Sequence, residues 1–175
     1  MNARWSVPQI AELIQNVPDF PRSGVMFKDI TPIMENGEAF RSLAQHMREH
    51  VFPGTTKLLA IESRGFILAA ALAQYVDAGI VLARKPGKLP RATISVNYEL
   101  EYSAATLQVH TSALGPHDKV TIIDDVLATG GTAHAAESLV VKAGAKVLGS
   151  CFMMELTALR GGQKLNFPYH ALLKI

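Results

Sequence analysis

Apolar positions along the chain recur at two periods, and the switching between them predicts an α/β fold. Val7, Ile10, Ile14 and Val17 fall at helical spacing behind a Ser6/Gln9 capping-box pattern, so a first helix is expected to end before Pro18. Residues 18–32, PDFPRSGVMFKDITP, carry Pro18, Pro21, Gly24 and Pro32 and predict an irregular segment. Phe20, Val25, Met26, Phe27 and Ile30 make it too apolar for a solvated linker, so it is expected to be an ordered loop that covers something. Phe40, Leu43, Ala44, Met47 and Val51 form the core stripe of a helix over 38–50.

Short apolar runs then alternate with helical stretches. Lys57 to Ile61 reads as a strand and Gly65 to Val76 as an alanine-rich helix, with Glu62, Ser63 and Arg64 turning between them. Gly79 to Arg84 is a further strand, and 93–110 alternates weakly, as in a mobile hairpin or flap. Val120, Ile122 and Ile123 suit a parallel strand covered on both faces; Ala133, Ala136, Leu139, Val140 and Ala143 share a helix face that Gly144 ends. Lys146 to Met154 is the last long strand, and no additional element is expected after Tyr169. The pattern predicts one domain built on a central, mainly parallel sheet flanked by helices.

The candidate chemistry collects at predicted strand ends, the edge where open α/β sheets bind ligands. Asp124 and Asp125 are read as leaving a strand together, and adjacent carboxylates there call for hydroxyl donors or cations. Ala128, Thr129, Gly130, Gly131 and Thr132 bring backbone N–H groups and two hydroxyls to a helix start, a recipe for holding phosphate. Neither G-x-x-x-x-G-K-[ST] nor G-x-G-x-x-G occurs, which excludes a Walker A loop and a dinucleotide fingerprint. Arg84, Lys85, Lys88 and Arg91 crowd the loop after the strand ending at Arg84, and such a cluster is either a solvated loop or an anion clamp.

Composition narrows the class. With 49% hydrophobic residues and a formal charge of +2, the chain has ample core and too little positive charge to argue for nucleic acid. No apolar run approaches a membrane span and MNARWSVPQI has no signal-peptide core, so a cytoplasmic protein is expected. Cys151, in the run VLGSCFMM, reads as a buried structural thiol.

VTIIDDVLATGGT closely resembles the phosphoribosyl pyrophosphate (PRPP) signature of type I phosphoribosyltransferases. PDFPRSGVMFKDITP, ESRGF, RKPGKLP, YELEY and the pattern of Glu155, Leu156, Thr157, Leu159 and Gly161 extend the resemblance over nearly the whole chain. Together they resemble the adenine phosphoribosyltransferases. The resemblance implies transfer of the 5-phosphoribosyl group from PRPP to adenine, giving AMP and pyrophosphate, with Mg²⁺ bound mainly through PRPP near Asp124 and Asp125. It implies a homodimer, with the RKPGK loop near the interface, and a small N-terminal hood over 1–35. It places the ribose and 5-phosphate on Asp124, Asp125 and residues 128–132, and the pyrophosphate on Ser63 and Arg64, with a cis peptide between these two residues. Arg84, Lys85 and Lys88 are candidates to complete the charge clamp.

Adenine is implied to lie between Met26 and Leu156, read by backbone groups of Phe27 or Lys28 and approached by Arg64. A flexible loop with Tyr98, Glu101 and Tyr102 is implied to close over the base, Glu101 facing N7. Three departures stand out: Ala60 and Ser103 replace glycines, and Leu68, Ala69 and Ala70 fill a small-residue stretch. A methyl at 60 is expected to crowd the back of the site, and a lost hinge at 103 to slow closure. The alternatives are a phosphoribosyltransferase for another purine, or a non-catalytic PRPP-binding regulator. No helix-turn-helix is appended, and a pure binding module would not require the loop carboxylate.

Overall fold

A computed structural model describes residues 4–100 and 103–175. The chain divides into two compact units, one ending at His46 and the other running from Met47 to Ile175.

In the first unit, Ser6 caps α1 (Val7–Ala11): its side chain accepts from the Gln9 N–H, and the Gln9 side chain accepts from the Ser6 N–H. The helix ends at Ala11, three residues short of Ile14 and six short of Val17, although both keep its spacing. β1 (Gln15–Pro18) follows instead, paired antiparallel with β2 (Met26–Asp29) from Gln15↔Asp29 to Pro18↔Met26. The expectation of a wholly irregular 18–32 segment is thereby corrected. Proline has no N–H to give a ladder, which confines it to strand edges and ends, and Pro18 closes β1. A cis Phe20–Pro21 bond and left-handed Asp19 and Gly24 (φ 57° and 82°) then turn the chain into β2.

α2 (Thr31–Glu35) leads to α3 (Gly37–Met47), whose first turn is capped by Asn36 Oδ1 accepting from the N–H groups of Glu38 and Ala39 at 3.1 and 3.0 Å. Leu43, Ala44 and Met47 are buried, as the stripe predicts. A short 3₁₀ turn, Arg48–His50, continues α3 into the second unit.

The second unit is built on a five-stranded, all-parallel sheet of β3 (Lys57–Ile61), β4 (Gly79–Ala83), β7 (Lys119–Leu127), β8 (Lys146–Glu155) and β9 (Tyr169–Lys174), in the order β4-β3-β7-β8-β9. A strand after Tyr169 was not expected; its half-buried YHALLK pairs with β8 from Ser150↔Tyr169 to Glu155↔Lys174. α4 (Arg64–Leu72) follows β3, and α5 (Gly131–Lys142) follows β7. β5 (Thr93–Leu100) and β6 (Ser103–His110) form the expected hairpin, antiparallel from Thr93↔His110 onward. Leu59, Ile61, Val81, Ile122, Leu139 and Val147 belong to one buried cluster that Leu107 and Val109 of β6 also join.

This order fixes where a ligand belongs. From β3 the chain steps to β4 on one side, and from β7 to β8 on the other. The crevice at the carboxyl ends of β3 and β7 is therefore the switch point of the sheet. Both candidate loops, 62–65 and 124–132, emerge there.

Cys151 is buried in β8, its thiol pushed up to about 12 by burial. Thiolate is the reactive form, so Ellman's reagent at pH 8 is expected to leave the folded protein unlabelled and to label it on denaturation. Stoichiometric labelling of the folded protein would contradict the packing.

Candidate active site

β7 does not stop at the acidic pair, as the sequence reading supposed. Val126 and Leu127 continue the ladder opposite Met154 and Glu155, so both aspartates lie within the strand. The two carboxylates stay close enough for the Asp125 charge to act on Asp124, and Arg64 lies near both. Asp124 is half-buried, and Asp125 is buried at 5% exposure. Burial first, then the neighbouring Asp125 charge, holds the Asp124 carboxyl well above its ordinary value of 3.8. Asp124 Oδ1 accepts the Asp125 N–H at 2.9 Å. Asp125 Oδ2 is buried and accepts no hydrogen bond, while Arg64 Nε stands 2.9 Å away as a charge partner.

An acid with a raised folded value binds its proton more tightly in the fold. Its penalty is absent below about 3.8 and grows as pH rises through the folded value. Asp124→Asn keeps the Oδ1 acceptor and removes the titration. The ligand-free variant is expected to melt above wild type at pH 7, with the gap closing as pH falls toward 4. A gap that ignores pH would contradict this.

The loop from Ala128 to Thr132 is shaped by backbone against backbone. Gly130 is left-handed at φ 80°, and a Cβ there would collide with the Gly161 carbonyl oxygen; one on Gly161 would collide with the Ala128 carbonyl oxygen. Only glycines let the two segments close to this distance. A small cavity of 80 Å³ results, lined by Asp124 and by residues 126–133, which include Ala128, Thr129, Gly131 and Thr132. The first α5 N–H groups have no partner within the helix, since the first i→i−4 bond of this turn runs from the His134 N–H to the Gly130 carbonyl. Gly161 figured in the sequence only as a motif letter, and its packing role was missed.

The turn after β3 meets this loop from the side. Its non-proline cis bond joins Glu62 and Ser63, one peptide earlier than the Ser63–Arg64 bond that the resemblance implied. Gly65 presses on β7, where a Cβ would lie 2.7 Å from the Ile123 carbonyl oxygen and 3.1 Å from Asp124 Oδ1. Arg64, the first residue of α4, thereby reaches Asp125. Ala60 is fully buried between Leu82 and Ile123 in the sheet and does not line the phosphate cavity. Leu68 and Ala69 are likewise buried in α4.

Glu62 organises the basic loop, a role its sequence context did not reveal. Its Oε2 accepts from Arg84 Nε and from the Lys85 backbone N–H, both at 3.1 Å. Arg84 also donates to the Lys88 carbonyl at 3.0 Å and lies over the Phe66 ring at 5.7 Å. Lys85 and Lys88 are exposed. Of the cluster, Arg84 is thus tied to the 62–65 turn, and the lysines stand at the surface.

The implied base contacts fall on both units. In the first, Met26 is 53% exposed, Phe27 packs edge-on against Phe20 at 5.0 Å, and Lys28 Nζ donates to Asn16 Oδ1 at 2.6 Å. In the second, Leu156 is half-buried just past the end of β8. Tyr98 sits in β5 opposite Ala105 and packs on the sheet cluster. Glu101 and Tyr102 lie outside the described residues.

Comparison with known proteins agrees with this geometry. The model of the phosphoribosyl transferase domain matches residues 27–170. An adenine phosphoribosyltransferase from Psychromonas ingrahamii is 44% identical over 97% of this chain and 96% of its own length. The crystal structure of adenine phosphoribosyltransferase from Rhodothermus marinus superposes with a TM-score of 0.92 at 44% identity, covering 97% of this chain and 98% of that one. A Saccharomyces cerevisiae adenine phosphoribosyltransferase, complexed with an imino-altritol bisphosphate and adenine, superposes at 0.91 with 35% identity, covering 95% of this chain and 98% of that one. A Gly-hinged loop beside an acidic pair at the switch point of a parallel sheet accompanies the family-model match over residues 27–170, and that match places the chain in the phosphoribosyl transferase family. Within that family it belongs with the adenine phosphoribosyltransferases.

Proposed function

We propose that the chain joins adenine to PRPP, releasing pyrophosphate and forming AMP, a purine-salvage reaction. The observation that carries this reading is the meeting of the 62–65 turn and the 124–132 loop at one crevice, with Arg64 2.9 Å from Asp125. The loop N–H groups and the hydroxyls of Thr129 and Thr132 hold the 5-phosphate, and Asp124 and Asp125 accept the ribose hydroxyls. Ser63 and Arg64 hold the pyrophosphate, and Arg84, Lys85 and Lys88 complete the positive field around it. As the anomeric carbon loses pyrophosphate it gains oxocarbenium character, and fixed cations around the leaving group stabilise the charge that develops there.

Among the described residues no group of three or more His, Cys, Asp and Glu side chains converges on a metal-sized site. A magnesium ion taking most of its oxygens from PRPP and water fits that donor set, with Asp124 and Asp125 the residues to hold it, Asp125 Oδ2 accepting no hydrogen bond. When bound, Mg²⁺ would neutralise pyrophosphate charge.

Adenine recognition is assigned to Met26 and the Phe27 and Lys28 backbone in the first unit, where residues 1–35 are proposed to contribute base binding, and to Leu156 in the second. The yeast relative's complex with adenine supports adenine as the base. Tyr98, Glu101 and Tyr102 are assigned to the closing loop, Glu101 handling the base proton. A homodimer accounts for Ile67 on α4 and for Ile80 and Leu82 on the edge strand β4, apolar side chains at least 40% exposed beside the basic loop. No helix among the described residues is long and apolar enough to cross a membrane, and a cytoplasmic location is proposed.

The base assignment is tested by kinetics. A site that accepts the adenine amine leaves that acceptor unpaired against the oxo group of hypoxanthine. kcat/KM is expected to favour adenine by up to about 10⁴. Comparable values for hypoxanthine would sink the adenine reading and leave the family intact.

A further inference from the structure

Glu137 is a buried acid two turns into α5, 1% exposed, and the phosphate loop, the acidic pair and the charge clamp make no use of it. Its carboxylate accepts the Asn166 N–H at 2.9 Å and the Phe167 N–H at 3.3 Å. His134 Nδ1, on the same helix, lies 3.7 Å from Oε2. A buried carboxylate is costly, and these bonds to charge offset the cost while tying the 166–167 backbone to α5.

Both ends of that tie lead to the phosphate loop. α5 begins at Gly131, inside the loop. The bound segment directly follows the 3₁₀ turn Gly161–Lys164, whose first residue is the one pressed on Ala128 and Gly130. The loop is thus a slot with α5 on one side and Gly161 behind it, and Glu137 bonds one side to the other.

We infer that Glu137 is a positioning residue for phosphoribosyl transfer, its carboxylate clamping the Asn166–Phe167 backbone to α5 and so holding Gly161 against the 5-phosphate loop. This rests on the assignment of that loop to the 5-phosphate. Glu137 touches no substrate; it acts through the width of the slot. The clamp favours affinity for the phosphorylated sugar over turnover, because the loop grips the same phosphate before and after the anomeric bond is exchanged.

Beside Glu137 lies a cavity of 460 Å³, lined also by Ser138, Val141, Lys142, Asn166 and Phe167. Removing the side chain would open the N–H pair to this cavity, where a small carboxylate fits. The experiment compares wild type, Glu137→Gln and Glu137→Ala, measuring PRPP affinity by calorimetry, steady-state constants for both substrates, and the effect of added acetate. Gln keeps one acceptor and turns an amide NH₂ toward the other N–H. PRPP Kd and KM are expected to rise about tenfold in Glu137→Gln and further in Glu137→Ala, with adenine KM and kcat held within about twofold. Acetate is expected to restore PRPP affinity in Glu137→Ala and to leave wild type unchanged.

Variants that melt lower yet bind PRPP as wild type does would overturn the inference, and so would an equal loss across all three constants. If Glu137→Ala does not fold, Glu137→Gln decides the question by the same split. Wild-type protein that binds PRPP but forms no AMP defeats the proposed reaction and leaves the calorimetric comparison standing as the test of Glu137. Wild-type protein that does not bind PRPP overturns both.

Discussion

Gly130→Ala is expected to abolish measurable PRPP binding while Gly144→Ala leaves it intact. Both glycines flank α5, and both are left-handed at φ 80°. Alanine at either position therefore meets the same local strain, about 1 kcal/mol. The surroundings separate them. A Cβ at Gly144 meets nothing within 4 Å, whereas one at Gly130 collides with the Gly161 carbonyl oxygen and sits 3.0 Å from its carbon.

Both atoms at Gly161 are backbone, so no rotamer change relieves the overlap. The phosphate loop or the Gly161 turn must move, and either movement breaks the slot. A loss of at least two to three N–H bonds to phosphate, each about 1.5–3 kcal/mol, is more than a hundredfold in Kd. Calorimetry with PRPP on both variants checks this, with the melting temperature as control. Equal, modest losses would mean that strain alone matters and that Gly161 does not shape the loop.

The second large effect is expected at the acidic pair. Asp124→Ala with Asp125→Ala removes the acceptors assigned to the ribose hydroxyls, at about 3 kcal/mol or more together, over a hundredfold in PRPP Kd. An opposing term exists, because losing two negative charges eases repulsion toward the pyrophosphate. That term acts across the width of a sugar through screened solvent and is worth about 1 kcal/mol, so lost bonding outweighs it. The double variant also leaves Arg64 without the carboxylate 2.9 Å from its Nε. Losing that charge partner weakens one hold on Arg64, which adds to the loss rather than offsetting it. Unchanged PRPP affinity would remove both aspartates from the site.

Much of this site was legible because its chemistry is local in sequence. An apolar run, two acids, a glycine pair and an amphipathic helix follow one another in β7 and α5, and spacing alone places them at a sheet edge. What escaped was set by partners distant in sequence. Val126 and Leu127 look like a loop until Met154 and Glu155 are seen to pair with them, and that pairing moves the acids from the strand end into the strand. Ile14 and Val17 keep helical spacing, yet Val17 pairs with Phe27 in a hairpin, since periodicity over a few residues cannot outweigh a second strand. Gly161 and Glu62 matter through one close backbone approach and one bifurcated carboxylate, and neither leaves a periodic trace. The assignment of the base rests on resemblance alone, because an exposed methionine such as Met26 carries no signal of its own.

The most direct test is a single competition. The protein is mixed with PRPP, Mg²⁺ and equal amounts of adenine, hypoxanthine, guanine and xanthine, and the nucleotides formed are identified by mass. AMP as the dominant product, with one pyrophosphate released per AMP, is the predicted result. IMP, GMP or XMP in comparable amount would contradict the adenine assignment, and pyrophosphate release without any nucleotide would contradict the transfer itself.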